Sequence, residues 1–418
     1  MSDGAAQSPT HASGGQGARL DPVSSTERIT LIDALRGFAL AGVLLANMPW
    51  FTSYQYLTPE VTAGFPTFVP DRILSLLILF FVDTKFITLF SFLFGLGFAV
   101  QLMRAEERGV RVRPVYLRRM GVLLLFGLCH LVFLWSGDIL TAYAILGFLL
   151  VLFVRRPERT LLIWGLILGG LIGLIEISAF TLLAGASPKG FETLYAETFE
   201  TFTTGGYSEV VRGNVHLTLS FGGKMVLFLF PFVLGRFLLG FWAGRRRLFH
   251  DPEGNRRLLE KIRRWGWRVG VPVWTVTVVV AGLNLFRILP DDSRWLALFG
   301  LMPFGAIFLA AFYAAAFSLL YLNPVWKRRL DVFAPVGRMA LTNYLCQSMV
   351  SVVVFYGWGL GLSARFPIGP TFYIPYWIVL FTAQVYFSRW WLSRFRFGPF
   401  EWLWRSITYM KRQPMRVT

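Results

Sequence analysis

Residues 31–47 read LIDALRGFALAGVLLAN. A run this apolar, continued by Met48–Phe51, makes a helix long enough to cross a bilayer, which takes about 20 residues at ~1.5 Å each. Asp33, Arg36 and Asn47 interrupt it. A charged side chain at mid-bilayer costs ~2.5–3.5 kcal/mol on insertion scales, so each polar group predicts a partner or a task. Asp33 and Arg36 stand one helical turn apart, and Asn47 returns to within about 60° of both. Asp33 is therefore set to pair with Arg36 near the cytoplasmic end, with Asn47 near the outer end. The same stripe also reads as packing glue, since Gly37 and Gly42 admit a close helical neighbour.

The rest of the chain repeats the pattern. Of 418 residues, 55% are hydrophobic and only 15% charged, where a soluble domain carries about 25% charge. Apolar runs fall near 29–51, 84–103, 118–136, 138–154, 160–184, 219–243, 268–287, 297–322, 336–357 and 372–388. The run 71–83 is too short to cross and is expected at the interface or as a re-entrant piece. No ten-residue alternation of a β-barrel appears. The fold class is all-α: a polytopic membrane helix bundle of about ten transmembrane helices.

Charge orients the spans. The net charge of +18 resides in short loops, at 104–119, 155–159, 244–268 and 327–331, and in the tail after Ser388. The alternate loops are poor in Lys and Arg or acidic. This alternation puts both termini in the cytoplasm. It reads as topology bias rather than a nucleic-acid patch, so no nucleic acid is expected as a partner. The inner loop 244–268 reads as a basic amphipathic helix suited to anionic headgroups. The acidic outer loop 185–216 reads as a solvated spacer or a lid. Residues 1–28 form a polar tail expected to be disordered, and Cys129 and Cys346 lie in apolar runs with no disulfide or metal spacing.

A second polar set lies in LCHLVFLWSGDILTAY. His130 is in the outer half of its helix, and Asp138 follows eight residues on, past a turn. A carboxylate beside a histidine orients the ring and stabilises imidazolium, the arrangement of a general base. A lone histidine in an apolar helix is otherwise a hydrogen-bonded core residue. Asp83, Lys85, Glu176, Lys224, Arg236, Arg338, Asn343 and Gln347 are further intramembrane polar groups. Together they predict a polar interior, because lipid-facing positions would exclude them. Arg338 starts its helix from the cytoplasmic side, where it can meet a lipid or ligand phosphate. No GxxxxGK[ST], HExxH or GxSxG motif is present, which argues against an ATP-driven pump.

The blocks ERITLIDALRGFALAGVLLANM, FSFLFGLGFAVQ, RRMGVLLLFGLCHLVFLWSGDILTAYAILG and GRMALTNYLCQS with FGPFEWLWRSITYMKRQPMR resemble the YeiB-like family of bacterial inner-membrane proteins. The resemblance implies a domain of unknown function over about 235–405, after a transmembrane part at 29–234 and before a basic tail at 406–418. The pattern D-x-x-R-G with a polar residue eleven beyond the arginine is also similar to transmembrane acyltransferases. That likeness implies transfer of an acyl group from cytoplasmic acyl-CoA, a donor substrate and not a resident cofactor, to a small-molecule, glycan or lipid acceptor outside. In the glycan O-acyltransferases the polar residue ending the first helix is typically His, and here it is Asn47. The roles this suggests are His130 as base, Asp138 as its orienter, Asn47 as an oxyanion donor, and Arg36 and Arg338 as holders of the donor's phosphates. The alternative from the same residues is proton-coupled transport of an anionic or amphiphilic solute. The expected surroundings are an anionic bilayer, with a homo-oligomer left open.

Overall fold

A computed structural model describes residues 30–109, 112–171, 188–285, 288 and 301–417. The described residues are helical, joined by short turns, with one isolated β-bridge between Phe395 and Arg416. The principal helices are α1 (Thr30–Phe51), α2 (Phe68–Phe81), α3 (Lys85–Glu107), α4 (Val112–Phe133), α5 (Leu140–Leu150), α6 (Glu158–Leu166), α7 (Pro188–Thr204), α8 (Tyr207–Arg245), α9 (Arg256–Leu285), α10 (Met302–Tyr321), α11 (Ala340–Phe355), α12 (Pro370–Leu392) and α13 (Pro399–Thr408). The helices satisfy their own backbone N–H and C=O groups, which is the condition for crossing, and apolar side chains all around most spans can face lipid. Glu176 and the second half of the run 160–184 lie outside the described residues.

Helix α1 is central. Its apolar stretch is 78% buried, against 22% for α9, which therefore lies at the periphery. Its glycines explain how. A Cβ on Gly37 would strike the backbone of Phe333, and one on Gly337 would strike the carbonyl of Asp33. The short helix Ala334–Arg338 thus crosses α1 backbone to backbone. Gly42 leaves room for the Phe86 ring.

The loops sort to two ends as the charges predict. At the basic end Arg246 Nε meets Glu158 Oε2 at 2.8 Å and Arg247 Nη2 meets Glu107 Oε1 at 2.9 Å. Arg245 donates to the carbonyl of Arg156 at 2.6 Å and also to that of Val154. Three basic loops therefore meet on one side. At the opposite end Thr371 N donates to Asp71 Oδ1 at 2.7 Å, Gly357 N to the Phe202 carbonyl at 2.9 Å and Tyr207 Oη to the Phe133 carbonyl at 3.0 Å.

Two expectations are corrected. The run 71–83 is neither interfacial nor separate. Helix α2 starts at the outer end, where Asp71 meets Thr371, and descends until Phe81 receives the Tyr313 hydroxyl at 2.9 Å, halfway along α10. The chain breaks at Val82–Thr84, with Thr84 at φ 62°, and resumes as α3. The second span is one discontinuous helix, and Lys85 lies at its break rather than at its mouth. The segment 244–268 is only in part a basic amphipathic helix. Helix α8 ends at Arg245, a turn follows, and Arg256–Arg268 are the first turns of α9. The apolar residues of that loop, Leu248, Phe249 and Leu259, are buried in the core, which pins it to the bundle. The segment 185–216 holds α7 and the start of α8, packed by the Phe202–Tyr356 stack at 4.9 Å.

Candidate functional site

His130 occupies the last turn of α4, where Leu134 N and Trp135 N both donate to its carbonyl. The chain then turns through Gly137 and enters α5. Asp138 caps that helix: its Oδ1 accepts from Leu140 N at 3.1 Å and its Oδ2 from Thr141 N at 2.7 Å. Gly127 lets α5 begin against α4, since a Cβ there would lie 2.5 Å from Thr141 N. The result is an imidazole Nδ1 2.9 Å from Asp138 Oδ1, with the side chains 1% and 0% exposed. The hydrogen-bonded turn and the cap therefore position both partners, without help from a distant loop.

The other ring nitrogen is the notable one. Neither buried ring nitrogen makes a well-aligned hydrogen bond among the described residues: Nδ1 has its 2.9 Å contact with Asp138, and Nε2 has no hydrogen-bond partner. A neutral imidazole donating from Nδ1 to the carboxylate presents a lone pair at Nε2, which is the base form. The ring lies beside aromatic side chains, 5.3 Å from the Tyr344 centroid and 6.2 Å from that of Trp135. Tyr344 Oη accepts from Ile139 N at 3.4 Å, so it braces the same turn. Ser136 N donates to Asn214 Oδ1 at 3.2 Å, which ties the turn to α8.

Two cavities are described, one at each end of the bundle. The outer one, of about 270 Å³, is lined by Thr52, Leu57, Phe65, Phe199 and Ser363–Ile368. The inner one, of about 320 Å³, is lined by Phe98, Arg113, Tyr116, Val151, Leu152 and Arg155 among others. Neither touches His130. From the outer cavity the contacts run through Thr52 to its neighbour Phe51, whose ring lies 4.4 Å from Trp135, and on to the imidazole. An aromatic pair stands at the dyad.

Arg36 pairs with Asp33 at 3.2 Å, as the spacing predicts. Its guanidinium also lies against Gly97, where a Cβ would sit 3.1 Å from Nη2. It is within electrostatic reach of Arg119, whose guanidinium covers the Trp404 ring at 4.1 Å. Arg338 follows Gly337, so it is next to the crossing that also holds Asp33 and Gly37. Arg36, Arg119 and Arg338 thus belong to the cytoplasmic half around α1. Asn47 lies on the outer half of α1, and no hydrogen bond joins it to His130.

The family match falls on the C-terminal part of this architecture. Residues 243–411 match the family described as "Protein of unknown function (DUF418)". The chain is 36% identical over 419 residues to "Uncharacterized protein YxaH" of Bacillus subtilis (strain 168), covering 95% of this chain and 98% of that one. It is 30% identical over 410 residues to "Uncharacterized protein YeiB" of Escherichia coli (strain K12), covering 93% and 98%. It belongs to the YeiB-like DUF418 family. No solved structure matches it. The long apolar helices identify a membrane protein, and these relatives are bacterial.

Within this YeiB-like bundle several predicted polar groups are packing elements. Asn343 Nδ2 donates to Ser388 Oγ at 3.0 Å and to the Val336 carbonyl at 3.2 Å. Gln347 Nε2 donates to Gln384 Oε1 at 2.9 Å, and Gln384 Nε2 to the Asn343 carbonyl at 2.9 Å. These bonds lace α11 to α12 and explain Asn343 without a ligand, while Gln347 Oε1 is buried with no hydrogen-bond partner among the described residues. Glu401 of α13 accepts from Leu341 N at 2.7 Å and Thr342 N at 3.0 Å, capping α11. Sequence reasoning missed Arg119, Tyr344 and Trp404 as neighbours of the candidate residues. Arg119 read as one more loop charge in the basic stretch 104–119. Lys224 lies in α8, with its side chain outside the described set.

Proposed function

We propose that this protein is an inner-membrane acyltransferase that moves an acyl group from cytoplasmic acyl-CoA to an acceptor at the outer face. The observation that carries the reading is His130: a buried, carboxylate-oriented imidazole whose Nε2 is left without a protein partner. A histidine kept only for packing would use that nitrogen in a hydrogen bond, because a buried unsatisfied polar atom costs about 1–3 kcal/mol. In the proposed step Nε2 takes the proton of the acceptor's hydroxyl or amine. The acceptor atom attacks the thioester carbonyl, the C–S bond breaks, and the imidazolium returns the proton to the departing thiolate. Asp138 stabilises the imidazolium and holds the tautomer.

Arg36, Arg119 and Arg338 suit the donor's phosphates, since guanidinium forks match phosphate oxygens. Helix α4 links the two regions: Arg119 and His130 are eleven residues apart, about 16 Å of helix, so an extended pantetheine arm would run along it. Asn47 is assigned to the oxyanion, a role that requires substrate to bring the groups together. The buried ring requires the Phe51–Trp135 pair to move before an acceptor enters.

One observation favours the second reading, proton-coupled transport. Discontinuous helices with a buried charge at the break form solute and ion sites in transporters, and α2–α3 has that form with Asp83 and Lys85. The two are separated by incubating purified protein in nanodiscs with radiolabelled acetyl-CoA and an extract of outer-face glycans and lipids. Label transferred by the wild type and lost in His130→Ala supports transfer. Proton-driven solute uptake with no covalent label supports transport and removes the acyltransferase reading.

A further inference from the structure

The outer cavity has a composition that the dyad does not explain. Its walls are apolar: Leu57, Val61, Phe65, Phe199, Phe366 and Ile368. Into this lining the short helix Leu362–Arg365 places Ser363 and Arg365. Ser363 is 9% exposed, and its Oγ has no hydrogen-bond partner among the described residues. Arg365 is exposed, and no carboxylate lines the cavity. An orphaned hydroxyl buried in an apolar wall costs free energy unless something accepts or donates there, so its occurrence beside a guanidinium points to a polar ligand group.

The ligand's chemistry follows from the lining. One guanidinium and one unpartnered hydroxyl (that of Thr52 is taken up by the Met48 carbonyl and Tyr373) provide for one anionic group, and the phenyl and aliphatic walls provide for a short apolar body. A dication or a sugar without charge would leave the arginine unused and the phenyl walls wet. The volume of about 270 Å³ is at the small end of ligand sites, which selects a compact molecule or the head region of a larger one. We infer that this cavity is a binding site for a monoanionic amphiphile, held by Arg365 and Ser363. On the proposed function it is the waiting position of the acceptor, and this inference rests on that reading only for the acceptor role; binding itself stands apart from it. The site is one wall away from the dyad, because Thr52 lines the cavity and Phe51 packs on Trp135.

The same chemistry has two sources, a soluble amphiphilic acid or an anionic lipid of the outer leaflet. Binding is measured by calorimetry on the full chain in nanodiscs of zwitterionic lipid, with no acyl donor present. The probes are octanoate, octylamine and phosphatidylglycerol doped into the disc. Expected is saturable binding of octanoate or of phosphatidylglycerol, and whichever saturates the site names its source. Arg365→Gln should weaken it about tenfold and Ser363→Ala about threefold, the loss of one charge-assisted and one neutral hydrogen bond. Melting curves of both variants matching the wild type show that the fold is kept. Equal binding of octylamine, unchanged binding in Arg365→Gln, or no binding of either anion would overturn the inference. Because no transfer is read, this test can fail while labelling through His130 persists, and it can succeed where labelling fails.

Discussion

The Nδ1 of His130 and the Oδ1 of Asp138 are 2.9 Å apart across the turn that joins α4 to α5. The same carboxylate caps α5 through Leu140 N and Thr141 N. One side chain thus starts a helix and, on the proposed function, orients a base, so substitutions must separate the two jobs.

Asp138→Asn keeps an N-cap oxygen but no longer holds the Nδ1–H tautomer. Transfer should fall ~10²-fold or more with little change in stability, as removal of a general-base partner does. Asp138→Ala should lose the same activity and in addition about 1 kcal/mol of stability from the lost cap. Kinetics and melting temperatures on both variants check this. Full activity in Asp138→Asn would remove the carboxylate from the mechanism.

Lys85 is fully buried, donates to the Leu79 carbonyl, and lies 2.7 Å from the Trp274 ring centroid. The Nζ covers a carbonyl that the helix break exposes. Lys85→Met retains the stem and leaves that carbonyl bare, at a cost of about 1–3 kcal/mol. A lowered melting temperature in detergent is expected. An unchanged one would mean that water or relaxation satisfies the carbonyl instead.

Gly337→Ala should destabilise the bundle by ~1–3 kcal/mol, because the added methyl meets the Asp33 carbonyl and forces two backbones apart. Gly121→Ala is the control. Nothing lies within 4 Å of a Cβ there, so it should be neutral or stabilising by up to about 1 kcal/mol of helix propensity. Thermal melts of the pair distinguish close packing from a general dislike of alanine.

His250, in the cytoplasmic turn before α9, is held below its ordinary value of 6.5 by burial first and then by Arg247 and Arg104, with Glu107 opposing. Such a group favours the folded state while neutral. Its contribution is present above pH 6.5 and is lost as the pH falls through 6.5 toward the lowered value. Melting temperatures of the wild type should therefore drop between about pH 7.5 and pH 5, and His250→Gln should flatten that slope. Parallel slopes would assign the pH dependence to other groups.

The polar residues of α1 and α4 show where reading along the chain works. Asp33 with Arg36 is paired by helical spacing; His130 and Asp138 are brought near by one tight connection, and their contact was settled only by the fold. Arg119 with Trp404, and His130 with Tyr344, are joined only by packing of helices far apart in the chain. No periodicity contains that information. The same limit explains Asn343 and Gln347: their helical face was legible, but not whether α12 or a cavity lay opposite it.

What the sequence determined alone was the all-helical membrane fold and the sorting of its basic loops to one end. Both follow from local quantities, apolar run length against bilayer thickness and the placing of Lys and Arg in alternate loops, which hold whatever the neighbours are. Tertiary structure decided that α2 and α3 are two halves of one broken span, that Ser363 and Arg365 share an outer cavity, and that the nitrogen of His130 opposite Asp138 has no partner. These depend on which helix faces which, and side-chain distances across a bundle are set by packing, not by position along the chain.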